Sequence, residues 1–176
     1  MEATCFRLLQ EAKKRNIPVS FDFNYRAKLW SVEQAAAVYQ RIIPYAHIVF
    51  CSQRDLDAFL HISREDFFAR YGNAEYLVIR ERDILSDHIH KVRAAVYTKA
   101  GSVAETEKEF AVLERIGGGD AFAAGFLHGG LHFAGDMVRA LDFAVDCMVL
   151  KHTVRGDVLA ARQNEIETSD SKDVRR

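Results

Sequence analysis

Ile116-Gly117-Gly118-Gly119-Asp120-Ala121-Phe122 places three consecutive glycines and one carboxylate at the entrance to a small, apolar run that continues to Leu131. The run reads as a helix. Glycines at a helix entrance let backbone N–H groups converge on an anion, and the positive end of the helix dipole adds to the attraction. An Asp beside such a hole can accept a proton from a hydroxyl that attacks a phosphoryl group. The same residues also fit a simpler turn in which Asp120 caps the helix.

Upstream, helical and extended segments alternate. An amphipathic helix from the N-terminus, with Phe6, Leu8, Leu9 and Ala12 near one face, closes at Lys13-Lys14-Arg15. Ile17–Phe23 reads as a strand, followed by a helix from Val32 to Ile43 capped by Ser31, and a strand from Ala46 to Cys51. Helices are expected over Gln53–Leu60 and Arg64–Tyr71, the latter capped by Ser63, with a third strand over Glu75–Ile79. Strands separated by helices imply βαβ units, so the fold class is α/β with a mostly parallel sheet and flanking helices. The charged stretch Arg80–Lys91 shows no period and reads as a loop; Val92–Thr98 and Lys108–Leu113 read as strands. A second C-terminal helix is expected from Asp136 to His152 after a break at Gly135. A chain opening on a helix that feeds a buried strand looks like the middle of an α/β protein.

The 176 residues suffice for one domain, and the net charge of -1 gives no electrostatic case for nucleic acid or anionic membrane as partner. No apolar run approaches a membrane span. Cys5, Cys51 and Cys147 are far apart, which suggests neither a disulfide framework nor a zinc knuckle and fits a reducing, cytoplasmic setting. Cys147 lies within an apolar helical pattern and reads as core. His128 and His132 are four apart on one helix face, but no third metal ligand accompanies them. A dinucleotide fingerprint fails for want of a third glycine, and no Gly-Lys-Ser/Thr follows any glycine run.

Ligands of open α/β sheets sit outside the carboxyl ends of the strands. Asn24 and Arg26 fall there, two apart and so on one side of an extended segment. Arg26 could grip a carboxylate or phosphate, or pair with a surface acid.

Together these residues resemble the C-terminal half of a carbohydrate kinase of the ribokinase (PfkB) family. The Gly-x-Gly-Asp loop opening a helix stands here in Glu114-Arg115-Ile116-Gly117-Gly118-Gly119-Asp120-Ala121-Phe122. Asp22-Phe23-Asn24-Tyr25-Arg26-Ala27-Lys28-Leu29-Trp30, Arg115-Ile116 and Lys151-His152-Thr153 with Gly156-Asp157 are similar to runs of 2-keto-3-deoxygluconate kinases. The resemblance spans Ala3 to Asp157. It implies a ribokinase-like fold truncated at the N-terminus, with 1–160 the C-terminal part of a kinase domain and 161–176 a polar, disordered tail.

The resemblance implies ATP and Mg²⁺ as cofactors and a keto-deoxy sugar acid as substrate, phosphorylated on its primary hydroxyl. Asp120 would be the base, and the amides of Gly117, Gly118 and Gly119 the anion hole. Arg26 would hold the sugar carboxylate, Asp157 would contact the substrate, and Asn24 would lie near the nucleotide phosphates. The family's Asn-x-x-Glu, which organises Mg²⁺ through water, stands here as Ser52-Gln53-Arg54-Asp55, leaving Asp55 as the indirect metal residue. The glycine-rich turn expected after the strand near Val78 is replaced by Arg80-Glu81-Arg82. The first half of the family's fold, with its lid, has no counterpart. The alternative expectation is therefore a catalytically inactive fragment that binds nucleotide, with a missing N-terminal half or a second copy as partner.

Overall fold

The computed structural model describes residues 2–168. In chain order the elements are α1 (Glu2–Lys14), β1 (Ser20–Asp22), α2 (Val32–Ile42), β2 (Ile48–Cys51), α3 (Gln53–Asp55), α4 (Arg64–Arg70), β3 (Tyr76–Ile84), β4 (Ile89–Thr98), β5 (Gly101–Ala111), α5 (Gly118–His132), α6 (Met137–His152) and α7 (Gln163–Thr168). A 3₁₀ turn follows α2 and a π-helical turn, Leu56–Leu60, follows α3.

The five strands form one sheet in the order β1-β2-β3-β4-β5. β1 pairs parallel with β2, Ser20 opposite Ile48, and β2 pairs parallel with β3, Ile48 opposite Tyr76. Only residues 85–88 join β3 to β4, and only 99–100 join β4 to β5. Connections that short cannot cross over, so these pairs are antiparallel hairpins and the sheet is mixed. The α/β architecture with flanking helices stands, with its parallel part confined to β1–β3.

The stretch Arg80–Lys91 is not a loop: β3 runs on to Ile84 and β4 begins at Ile89. Its period is hidden because the outward positions carry charge. His90, Val92, Ala94 and Val96 are buried on one face of β4, while Arg93 pairs with Asp83 and Lys91 with Glu107, each at 2.9 Å. Cross-strand ion pairs of this kind hold an exposed sheet face together without apolar residues. β5 likewise starts at Gly101, well before Lys108.

The chain separates into two compact units, Met1–Arg80 with Val96–Ser102, and Glu81–Ala95 with Val103–Arg176. The core of the first unit is aromatic. Tyr39 on α2 meets Phe23 edge-on at 4.9 Å between ring centroids and Phe59 at 5.2 Å, with Leu56, Leu60, Phe67 and Leu77 packed around them. The helices that carry these rings are fixed by local chemistry. Ser31 and Gln34 form a reciprocal capping box on α2, and Ser63 accepts from the Asp66 N–H to start α4.

In the second unit α5 and α6 pack closely because glycines on α5 face alanines on α6. A Cβ on Gly129 would stand 2.7 Å from the Ala140 Cα, and one on Gly125 would stand 2.9 Å from the Ala144 Cα. The reversal between the helices uses Ala134 and Gly135, both at positive φ, and Asp136 caps α6 by accepting from the Arg139 N–H. Gln163–Thr168, read from the sequence as the start of a polar tail, forms α7. Its single apolar residue, Ile166, is buried, and Glu167 pairs with Arg139 at 2.8 Å. The rest of that tail, 169–176, lies outside the described residues. Among the described residues no helix is long and apolar enough to cross a membrane.

Candidate active site

Gly117 is the N-cap of α5 and has φ 80°, a left-handed conformation that a side chain disfavours. The first bond of the helix is donated by the Ala121 N–H to the Gly117 carbonyl at 2.9 Å. The N–H groups of Gly118, Gly119 and Asp120 therefore precede the helical ladder and have no acceptor within it. They converge at the positive end of a 15-residue helix with no side-chain cap competing for them.

The turn is held from behind by the end of α6. Leu113 and Glu114 donate their N–H groups to the His152 carbonyl at 2.8 and 3.1 Å. Gly118 packs so closely on the His152 ring that an added Cβ would stand 2.8 Å from Nε2. His152 donates from Nδ1 to the Met148 carbonyl at 2.6 Å, which fixes the tautomer and leaves Nε2 as a buried acceptor without a partner. Burial, the largest influence, holds its pKa below the ordinary histidine value. Lys151 is fully buried and directs Nζ to the Val154 carbonyl at 3.3 Å; its Cε would be 3.0 Å from a Cβ on Gly117. A fully buried lysine is rare. The family-like run Lys151-His152-Thr153 was visible in the sequence, but the support it gives the glycine turn was not.

In front of the turn lies a cleft of about 490 Å³ whose wall includes Gly117, Asp120 and Asp157. Both carboxylates belong to exposed residues. Farther in, the lining is apolar, with Ala124, Phe143, Cys147 and Ile166 among the contributors. Of the residues expected from the sequence around the glycine turn, Gly117, Asp120 and Asp157 line this cleft, while Gly118 and Gly119 are not among its lining residues. Cys147 is buried and its thiol is pushed up to about 12, chiefly by burial, so it is core and not a nucleophile. His128 stacks on His132 at 4.1 Å and shares a hydrogen bond with Gln163. No cluster of three metal-ligating side chains exists among the described residues.

Asn24, Arg26 and Asp55 belong to the first unit. Asn24 follows β1 with φ 38°, and its N–H donates to Asp22 Oδ1 at 3.2 Å. Among the described residues Arg26 has no acidic partner: Nη1 donates to the carbonyls of Tyr25 and Asn24 at 3.1 and 3.3 Å, on an exposed side chain. Tyr39 donates to the Phe23 carbonyl at 2.6 Å and fixes the end of β1 from which both residues project. Burial first, then the charges of Asp55 and Asp22, push the Tyr39 hydroxyl up to about 12.

Asp55 completes a capping box in which one oxygen, Oδ2, accepts from the Ser52 N–H at 2.7 Å and the Ser52 hydroxyl at 2.8 Å. A single carboxylate so held suits Mg²⁺ reached through water, because the ion keeps most of its hydration and takes few protein ligands.

Comparison with known proteins gives the family. Residues 1–163 match the profile of the pfkB family of carbohydrate kinases. A 2-dehydro-3-deoxygalactonokinase of Haloferax volcanii is 28% identical over 175 residues, covering 95% of this chain and 51% of that protein. Among solved structures, a PfkB family carbohydrate kinase from Listeria grayi is 32% identical with a TM-score of 0.85, covering 94% of this chain and 53% of that one. The 2-dehydro-3-deoxygluconokinase of Thermotoga maritima is 26% identical with a TM-score of 0.87, covering 96% and 55%. The chain thus spans about half the length of the relatives it matches. Its profile match, its ribokinase-like architecture and the glycine-aspartate entrance to α5 together place the chain in the pfkB family of carbohydrate kinases.

Proposed function

We propose that the chain carries the phosphoryl-transfer machinery of an ATP-dependent kinase that phosphorylates the primary hydroxyl of a 2-keto-3-deoxy sugar acid. The observation that carries this reading is the meeting of Gly117, Asp120 and Asp157 on one cleft at the N-terminus of α5. Asp120 takes the proton of the sugar hydroxyl as its oxygen bonds to the γ-phosphorus, and the bond from that phosphorus to the β-γ bridging oxygen breaks to release ADP. The amides at the start of α5 receive the charge on the transferring group. Asp157 accepts from a substrate hydroxyl. Arg26, whose guanidinium has only backbone carbonyls as partners among the described residues, takes the substrate carboxylate. Asp55 would order water in the hydration shell of a bound Mg²⁺, which would offset the charge of the phosphates.

Support for a sugar acid comes from the Haloferax and Thermotoga relatives, a 2-dehydro-3-deoxygalactonokinase and a 2-dehydro-3-deoxygluconokinase. The span of about half those relatives supports a second reading, nucleotide binding without turnover. ADP release measured with 2-keto-3-deoxygluconate, 2-keto-3-deoxygalactonate, fructose and ribose separates the two. Release that depends on a keto-deoxy acid supports the kinase reading. ATP binding with no sugar-dependent release supports the second.

A further inference from the structure

Lys151, one residue before the end of α6, is the one buried lysine or arginine among the described residues, and no carboxylate accompanies it. Its ammonium has a single hydrogen-bond partner there, the Val154 carbonyl at 3.3 Å. An ammonium carries three donors, so two of them find no acceptor. The acids of the adjoining loops serve elsewhere: Glu114 accepts from the N–H groups of Arg115 and Ile116 at 2.9 and 3.4 Å, and Asp157 lines the cleft. A buried charge without a counter-charge is destabilising, and an apolar side chain of similar shape would serve the fold better. Stability therefore gives no reason for a lysine at this position.

Its surroundings give one. The lysine stem passes directly beneath the glycine turn, where Cε would stand 3.0 Å from a Cβ on Gly117. Its hydrogen bond reaches the segment that leads to Asp157, and the Asp157 carbonyl presses on the same glycine. Lys151 thus meets both parts of the candidate site, the turn that opens α5 and the loop that brings Asp157 to the cleft. It is not among the residues that line the cleft, so it acts through its neighbours and not on a ligand. The free N–H groups at the start of α5 already favour an anion. A cation held behind them, out of water, adds to that field with little screening by solvent.

We propose that Lys151 is a positioning residue for phosphoryl transfer: its buried ammonium locks the Gly117 turn to the loop bearing Asp157 and lends a fixed positive charge to the amides at the start of α5. Its part in transfer rests on the kinase reading of the cleft; its part in anion binding does not.

Lys151→Met, which keeps an unbranched stem and removes the charge, tests this on the full chain, with Lys91→Met as the control for net charge. Thermal melting, calorimetric titration with inorganic tripolyphosphate and ADP release with 2-keto-3-deoxygluconate are the readouts. Lys151→Met should melt at or above the wild-type temperature, because a lone buried charge is gone. It should nevertheless bind tripolyphosphate about tenfold more weakly and turn over about a hundredfold more slowly, with KM for the sugar within about twofold. Lys91→Met should leave affinity and turnover unchanged. Should Lys151→Met not fold, Lys151→Gln, which keeps an N–H donor without the charge, should show the same loss of affinity. Wild-type tripolyphosphate affinity in a folded variant, or no tripolyphosphate binding by the wild-type chain, overturns the proposal. So does a loss that comes only with a lowered melting temperature, which is what a packing role gives. Tripolyphosphate binding that depends on Lys151, in a chain without sugar-dependent turnover, keeps the anion-binding role and removes the kinase reading. Sugar-dependent turnover equal in the wild type and Lys151→Met does the reverse.

Discussion

The backbone of Gly117 lies against the carbonyl group of Asp157, so that a Cβ built on the glycine would stand 2.8 Å from the carbonyl carbon and overlap its oxygen. The same residue holds φ 80°. Steric overlap and a left-handed conformation act together, and neither neighbour is a flexible side-chain tip that could swing aside. Gly117→Ala should therefore destabilise the chain by about 3 kcal/mol, read from urea unfolding. It should also displace Asp157 from the cleft. A variant as stable as the wild type would mean that this contact is looser than described.

The three thiols should differ sharply in reactivity. Cys5 is exposed, while Cys51 and Cys147 are buried and Cys147 is raised to about 12. Ellman's reagent at neutral pH should label one thiol in the native chain and three after denaturation, with Cys5→Ser abolishing the native reaction. Fast native labelling of Cys147 would contradict its place between α5 and α6.

Tyr39 gives a prediction with a defined pH window. Its hydroxyl is raised from 10.0 to about 12 in the folded chain. The unfolded chain loses this proton first, so the contribution is fully present below pH 10 and disappears as pH rises toward 12. Tyr39→Phe should flatten that alkaline slope. At neutral pH it should cost about 1–3 kcal/mol, because the Phe23 carbonyl loses its buried donor. An unaltered alkaline slope would remove Tyr39 as its source.

Among the described residues Arg26 has backbone carbonyls as partners and no acid. Under the sugar-acid reading, Arg26→Ala should raise KM for an acidic sugar by about tenfold or more and leave a neutral sugar nearly untouched. Equal effects on both would take the carboxylate away from this residue.

Much of the fold is legible in the residues because its signals are local. Ser31 and Ser63 act as caps where Ser precedes a helical run, and Gly117 takes the left-handed conformation that glycine favours at the N-cap of α5. The ribbon of β3 and β4 was hidden, because Asp83 and Lys91 read as loop residues until their cross-strand partners, Arg93 and Glu107, are known. α7 was hidden for a related reason: a polar hexapeptide anchored by the burial of Ile166 has no helical period to detect. In the site, Asp120 and Asp157 were identified through family-like motifs. The support beneath them was not, since nothing local distinguishes buried Lys151 or His152 from surface residues of the same type.

The central claim is that Asp120, at the glycine entrance to α5, accepts the proton of an attacking alcohol. ADP release from ATP with 2-keto-3-deoxygluconate, compared between the wild-type chain and Asp120→Asn, tests it most directly. Sugar-dependent turnover should fall by about a thousandfold or more in the variant, with KM for the sugar nearly unchanged. Turnover that survives the substitution, or a wild-type chain that releases no ADP when the sugar is added, would contradict it.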